Sequence, residues 1–479
     1  MATTKKLMGT TAVGGGSLAI EEVFSTYLYT GTGAAQTIAN GIDLAGEGGM
    51  VWLKSRSNAS NHFVVDTERG NDKYLLTNAT SAEGTSPAGS DITSFNSDGF
   101  SFGNYNYNIN FNNLTYASWT FRKAPRFFDV VTFTVGTSGS DTIINHNLGV
   151  TPGFVITKMT STSSSWFAFH TSTPNQYLQF NATEPAKSWT WTSDDTSIDI
   201  GAFWSTAYAG ATGIAYFFAH DPLGPSGDGS DGLIACGSYT GNGSTTGPEI
   251  DLGWEPQWLL IKDTTTSSWS WYLVDNMRGF SETQYTWFAA DTNAAESALT
   301  DRIVPTSTGF KLVTSLSPYN ANGSNYVYIA IRRGPMRQPT SGTEVFAIDQ
   351  DDGVGSPAFI SGFPVDFNFY RNVNTLQGAF LSSRLTGNKY MQSTSTASES
   401  SSAGFTWDYM DGFRTGPLTT DFYGWMFRRA PGFFDVVAYT GDGVAGRTVS
   451  HNLGVAPEMM WVKRRSGTTG WFVYVKSVG

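Results

Sequence analysis

A chain of 479 residues with a formal charge of −11 is too long for one hydrophobic core, since single cores stop growing near roughly 250 to 300 residues. Its charge also opposes a phosphate backbone, which requires a concentrated basic face. Aromatic residues reach 14%, charged residues only 14%, and Gly numbers 53; that profile excludes a charged helical or disordered chain and favours pleated, half-buried strands joined by turns.

The first residues, MATTKKLMGTTAVGGGSLAIEEVF, lack the continuous apolar run of a secretion signal. Synthesis in a cytoplasm is expected, and no run approaches the ~18 apolar residues of a membrane span. Residues 1–22 read as an extended arm, because Gly14, Gly15 and Gly16 deny it regular structure. Residues 17–24 are predicted to hold a short helix with Ser17 as N-cap, and residues 293–300 a second one.

Four units follow. Unit 1, residues 23–126, has an apolar run ending in Lys54, then VVDTERG (64–70), SDGF (97–100) and YASWTFRKAP (116–125). Unit 2, residues 127–226, opens with INHNLGVTPGFVITK (144–158), continues in a strand led by Trp166, and closes with GIAYFFAHDP (213–222). Unit 3, residues 227–337, repeats the plan with IDLGWEPQWLLIK (250–262), a strand led by Trp269, LVDNMRG (273–279), STGF (307–310) and YVYIAIRRGP (326–335). Unit 4, residues 338–432, keeps GNKYM (387–391), MDGF (410–413) and FYGWMFRRAP (422–431) but has no recognisable HNLG hairpin.

Residues 433–479 repeat only the opening, with VSHNLGVAPEMMWVK (449–463) and a strand led by Trp471. An incomplete fifth unit is expected to continue beyond Gly479, since half a β-domain leaves strand edges bare. Alternating apolar positions that stop at a proline mark closing strands. Units of about 100 residues built from many short strands predict an all-β fold of tandem antiparallel β-sandwiches. In each SDGF-like turn, Gly is expected to supply a positive φ.

The stretch FRKAPRFFDVV (121–131) returns as FRRAPGFFDVV (427–437), differing only at Lys123/Arg429 and Arg126/Gly432. It spans the end of one unit and the start of the next. Pro125, Phe127 and Phe128, and their copies Pro431, Phe433 and Phe434, are therefore read as inter-domain joints that couple neighbours rigidly.

The candidates for chemistry are few. His146 and His451 share one repeat position without a second histidine at ligand spacing, which favours a turn residue bonding its own backbone over a metal ligand or base. Asp66 with Arg69, and Asp275 with Arg278, read as turns held by a charge-assisted bond rather than as a paired acid site. DQDDG offers Asp349, Asp351 and Asp352 but lacks the later Glu of a calcium loop. Cys236 is the sole cysteine, so no intrachain disulfide can form. Trp119, Trp166, Trp269, Trp425 and Trp471 recur at fixed positions and read as core, whereas Trp189, Trp191, Trp204 and Trp287 do not recur and are the candidates for stacking on a glycan. No residue is assigned a catalytic or metal-binding role, no cofactor is expected, and the chain reads as a non-enzyme.

SLAIEEVFSTYLYTG (17–31), GIDLAGEGGMVWLKSR (41–56), FRKAPRFFDVV and HNLGVTPGFVITK resemble the repeated β-domains of large structural proteins of tailed bacteriophages, especially phages of marine cyanobacteria and other marine bacteria. The resemblance implies lectin-like sandwiches in a virion component, a tail or fibre-like appendage. That component docks by its N-terminal arm, with Leu18, Ile20, Val23 and Phe24 as docking candidates, and presents its units to a host surface. The implied partners are other virion proteins, further copies of the chain (a trimer suits a fibre) and a host surface glycan, but neither nucleic acid nor a membrane. A polysaccharide depolymerase and a purely structural tail or capsid component are the alternatives.

Overall fold

The computed structural model describes residues 18–104, 108–136, 141–204, 206–353, 355–416 and 420–478; Ser17 and Gly14 to Gly16 lie outside them. The chain is a series of antiparallel β-sandwiches. In unit 1 a six-stranded sheet runs in the order Phe24–Thr30, Thr115–Arg122, Gly49–Ser55, Phe63–Asp66, Lys73–Leu76, Gly84–Thr85. The closing strand is inserted second, between the opening edge strand and the Lys-terminated strand, so the last residues of a unit lock its first ones in place. Units 2, 3 and 4 repeat this order around their closing strands Thr212–Ala219, Asn325–Arg332 and Phe422–Phe427.

A small sheet covers one face of each large sheet: Gln36–Ala39, Gly99–Phe102 and Ile92–Asn96 in unit 1, with equivalents in units 2 and 3 and a two-stranded version in unit 4. The Gly of the SDGF-like turns belongs to this small sheet, and its main role is close approach. A Cβ on Gly99, Gly309 or Gly412 would lie 1.9, 1.8 or 2.3 Å from the carbonyl oxygen of Ile38, Ile250 or Phe359, and only Gly99 of the three has a positive φ. The predicted turn geometry is corrected accordingly.

Period-2 alternation sends successive side chains to opposite faces, and in units 1 to 3 both faces are dry. Val51, Leu53 and Tyr116 fill the sandwich of unit 1, while Met50, Trp52, Trp119 and Phe121 point the other way. Unit 3 sorts likewise: Leu259, Ile261, Tyr326 and Tyr328 face its own small sheet, and Trp258, Leu260, Ile329 and Ile331 face away. The outward sets meet Phe154, Phe180 and Phe218 of unit 2 in one common core. Three large sheets thus pack around a shared centre, and each large side chain removed from water there contributes on the order of 2 kcal/mol.

Unit 4 has its own core of Phe359, Tyr370, Trp407, Phe413 and Met426. Unit 5 consists of the hairpin Met459–Val462 and Phe472–Val475. Residues 434–440, which copy the opening strand Phe128–Thr134, form no strand. Phe128–Thr134 pairs with its closing strand, and among the described residues unit 5 has no closing strand to receive the copy.

Two local expectations change. Residues 20–22 do form a turn of 3-10 helix, but Ala19 is its N-cap and the Glu22 carboxylate accepts the Ala19 N–H at 3.0 Å. The predicted helix at 293–300 is instead the edge strand Ser297–Leu299, claimed by pairing with Tyr285–Ala289. Short helices lie at Leu44–Glu47 and Ser317–Asn320.

Candidate functional site

The repeated polar motifs converge between units. Arg69 donates its N–H to Asp66 Oδ1 (3.0 Å) and its Nε to Oδ2 (2.7 Å), closing the expected turn. The same Asp66 Oδ2 accepts the Tyr216 hydroxyl of unit 2 at 2.8 Å. In unit 3, Arg278 grips Asp275 in the same way (3.0 and 2.6 Å), and Asp275 Oδ2 accepts the indole N–H of Trp119 in unit 1. The Arg278 guanidinium lies 4.4 Å from the Phe288 ring and 5.2 Å from that of Trp119.

Unit 2 has His170 at this position. Burial pulls its imidazole down to about 4, so the ring is neutral. Nδ1 accepts from Ser172 N–H (3.0 Å) and Nε2–H donates to the Tyr328 carbonyl of unit 3 (3.1 Å). The three closing strands align Trp119, Tyr216 and Ile329. Where the neighbour offers an N–H or O–H the turn is Asp-x-x-Arg; where it offers Ile329 the turn is His and bonds to backbone. Unit 1 contacts 2, 2 contacts 3, and 3 returns to 1, which is a closed ring. Buried charges are tolerable here because their hydrogen-bonding capacity is filled.

Two further contacts follow the same cycle. Trp166 donates to the Leu76 carbonyl of the preceding unit (2.8 Å) and Trp271 to that of Gln179 (3.0 Å). Trp269 packs against the core of unit 3 as expected, but the counterpart of Trp166 is Trp271, which crosses over to unit 2. His62 takes this place in unit 1, its ring 5.7 Å from Phe288 of unit 3. Each Lys-terminated strand sends an ammonium to loop carbonyls: Lys158 to Thr80 (3.3 Å) and Lys262 to Thr183 (3.2 Å), both in the preceding unit, while Lys54 lies 5.1 Å from the Phe288 ring. Burial pulls all three ammonium groups down to about 8.

The joint is built on an aspartate. Asp129 Oδ2 accepts the Asn147 N–H of the HNLG loop at 2.7 Å, while Arg126 N–H donates to the Leu148 carbonyl (2.8 Å). Asp435 and Gly432 repeat both bonds with Asn452 and Leu453. Arg126 has φ 61° and Gly432 φ 70°, so this varying position keeps one left-handed conformation. Phe127 and Phe128 are fully buried and Pro125 is exposed, whereas Phe433 is 38% exposed and Phe434 half-buried. Arg429 bridges Glu255 of unit 3 (2.7 Å) and Asp435 (2.6 Å), tying units 3, 4 and 5 by buried charge.

A cleft of about 1110 Å³ separates the edge strand Phe24–Thr30 from unit 4, with Tyr27, Asn40, Asp408, Tyr409, Asp411 and Arg428 on its walls. Burial, then the Asp411 charge, raises the Tyr27 phenol. Arg56 bonds both Glu296 and Asp408, fixing units 1, 3 and 4 around the cleft. This cleft is formed by residues about 350 positions apart, and no sequence motif marks it.

Other predicted residues are placed differently. Ile20, Val23 and Phe24 are at most 3% exposed and Leu18 packs beside them, so their apolar surface is already used within the chain. Glu21 accepts the Met336 and Arg337 N–H groups (both 2.9 Å), clamping this segment to the exit of unit 3. Trp204 is 1% exposed inside a cluster with Phe167 and Phe203, which excludes ring stacking on a glycan. Trp189 and Trp191 are half-buried within unit 2, edge-on to Phe203 and Phe169, and Trp287 packs edge-on to Tyr272. His146 Nδ1 and His451 Nδ1 accept the Leu148 and Leu453 N–H groups (3.3 Å each). Asp349, Asp351 and Asp352 accept from Ile360, Gly353 and Gly355 N–H respectively. Among the described residues no group of three or more His, Cys, Asp or Glu is arranged to hold a metal.

A family model described as a domain of unknown function (DUF7483) matches residues 21–335 and 429–479. The first stretch ends at Pro335, where the ring of three units closes, and the second begins within the repeated joint. No curated protein matches the chain.

Proposed function

The chain belongs to the DUF7483 family, and from that premise we propose that it is a structural component of a bacteriophage particle, a tail or fibre-like appendage that carries rigid β-domains to a host surface. The observation that carries the reading is where the repeated motifs go: Asp66, His170, Asp275, Lys158 and Lys262 all bind units to one another. Their repetition therefore serves rigidity. Units fused through one core hold a fixed relative orientation, as a rigid particle component must. The phage-like motifs of the arm and joint point the same way.

Contact with the host is assigned to the cleft between units 1 and 4, whose tyrosines and carboxylates suit a polyhydroxylated glycan better than the packed tryptophans do. Immunogold electron microscopy of purified phage particles, with antibodies raised against units 1 to 3, tests the location. Label on tails or fibres is expected, and particles that lack the protein altogether would end the proposal. Incubation with host envelope polysaccharide should leave it uncut; shortened fragments would favour a depolymerase.

A further inference from the structure

In the ring every large sheet is dry on both faces, but unit 4 leaves one face open. Phe367, Phe369, Trp425 and Phe427 are only half-buried, with Phe369 stacked on Trp425 at 4.9 Å. In unit 5 the exposed residues include Met459 (53%) and Trp461 (51%). By alignment along the repeat these are counterparts of residues that face the common core: Trp425 stands where Trp119 does, and Trp461 where Trp52 does.

Units 4 and 5 already meet as neighbours in the ring do. Trp471 donates to the Gln392 carbonyl (3.0 Å), as Trp166 does to Leu76, and Lys463 reaches the Ala397 carbonyl (2.8 Å) of the preceding unit, as Lys158 reaches Thr80. One of the three interfaces of a ring is present, and the open residues are those the other two would bury.

We propose that this face is an interface for one further sandwich unit of the same family, which completes a second ring. The chemistry of the visiting turn follows from the first ring. Trp119 meets Asp-x-x-Arg in unit 3, whereas Ile329 meets His170. Trp425 offers the same indole N–H, so the incoming unit presents Asp-x-x-Arg to it. A contiguous apolar face of this kind is otherwise an aggregation liability.

The experiment appends a copy of residues 171–337 after Val475, the position aligned with His170, and compares this extended protein with the 479-residue chain. Met459 oxidation and Trp425 indole N–H exchange are read by mass spectrometry and NMR, with the first ring as internal control. Protection of about tenfold or more in the extended protein is expected. It should be lost at Trp425 when the appended copy alone carries the changes corresponding to Asp275→Asn and Arg278→Ala. Equal reactivity in both proteins, or an appended copy without protected amides beside an intact first ring, overturns the proposal. Concentration-dependent self-association of the 479-residue chain that hides Met459 and Trp425 would also overturn it, because the occupant would then be a second copy.

Discussion

Trp119 in unit 1 donates its indole N–H to Asp275 in unit 3 at 3.0 Å, across 156 residues of chain, and this contact turns three tandem sandwiches into a ring. Asp275 is fully buried and also holds Arg278. Asp275→Ala should therefore cost about 3 to 5 kcal/mol, because it leaves a buried guanidinium short of its partner. Trp119→Phe, which removes only the donor and some area, should cost about 1 to 3 kcal/mol. Urea unfolding of both single variants and the double variant should show coupling; additive effects would mean that the two residues do not act together.

At the first joint, Asp129 accepts two backbone N–H groups, from Val130 and Asn147, in a buried site. Asp129→Ala is expected to cost about 2 to 3 kcal/mol, in the range of hydrogen bonds to charged groups. The exchange of the Asn147 amide should rise with it. Unchanged exchange there would show that the loop is held by something else.

The buried lysines make stability depend on alkaline pH. Lys54, Lys158 and Lys262 have folded values near 8 against 10.5 in the open chain. Below pH 8 both states hold the proton and the cost of burying the charge is fully present. Between about 8 and 10.5 the unfolded chain binds more protons, so folding should strengthen as pH rises. Denaturation midpoints from pH 7.5 to 9.5 should climb for the natural chain and climb less for Lys158→Met.

Removing residues 1–22 should lower the ring's stability. Ile20 is fully buried in the common core and Glu21 caps the exit of unit 3. Ile20→Ala alone is expected to cost about 2 to 5 kcal/mol. Thermal unfolding of the truncation and of Ile20→Ala checks that residues 18–22 belong to the fold; an unchanged midpoint for both would show that they do not.

Much was legible in the residues themselves. The repeat, the closing strands ending in proline, the Asp-x-x-Arg turns and the joint are local signals, because alternation and turn chemistry depend on neighbours in the chain. GMVWLKS even records that both faces of its strand are apolar. What covers the second face is not a local property. That Asp66 meets Tyr216, that His62 fills a place held elsewhere by Trp, and that Tyr27 and Asp411 share a cleft are outcomes of three sheets closing on one core. Periodicity states which side chains must leave water, whereas only the packed arrangement decides which distant residues receive them.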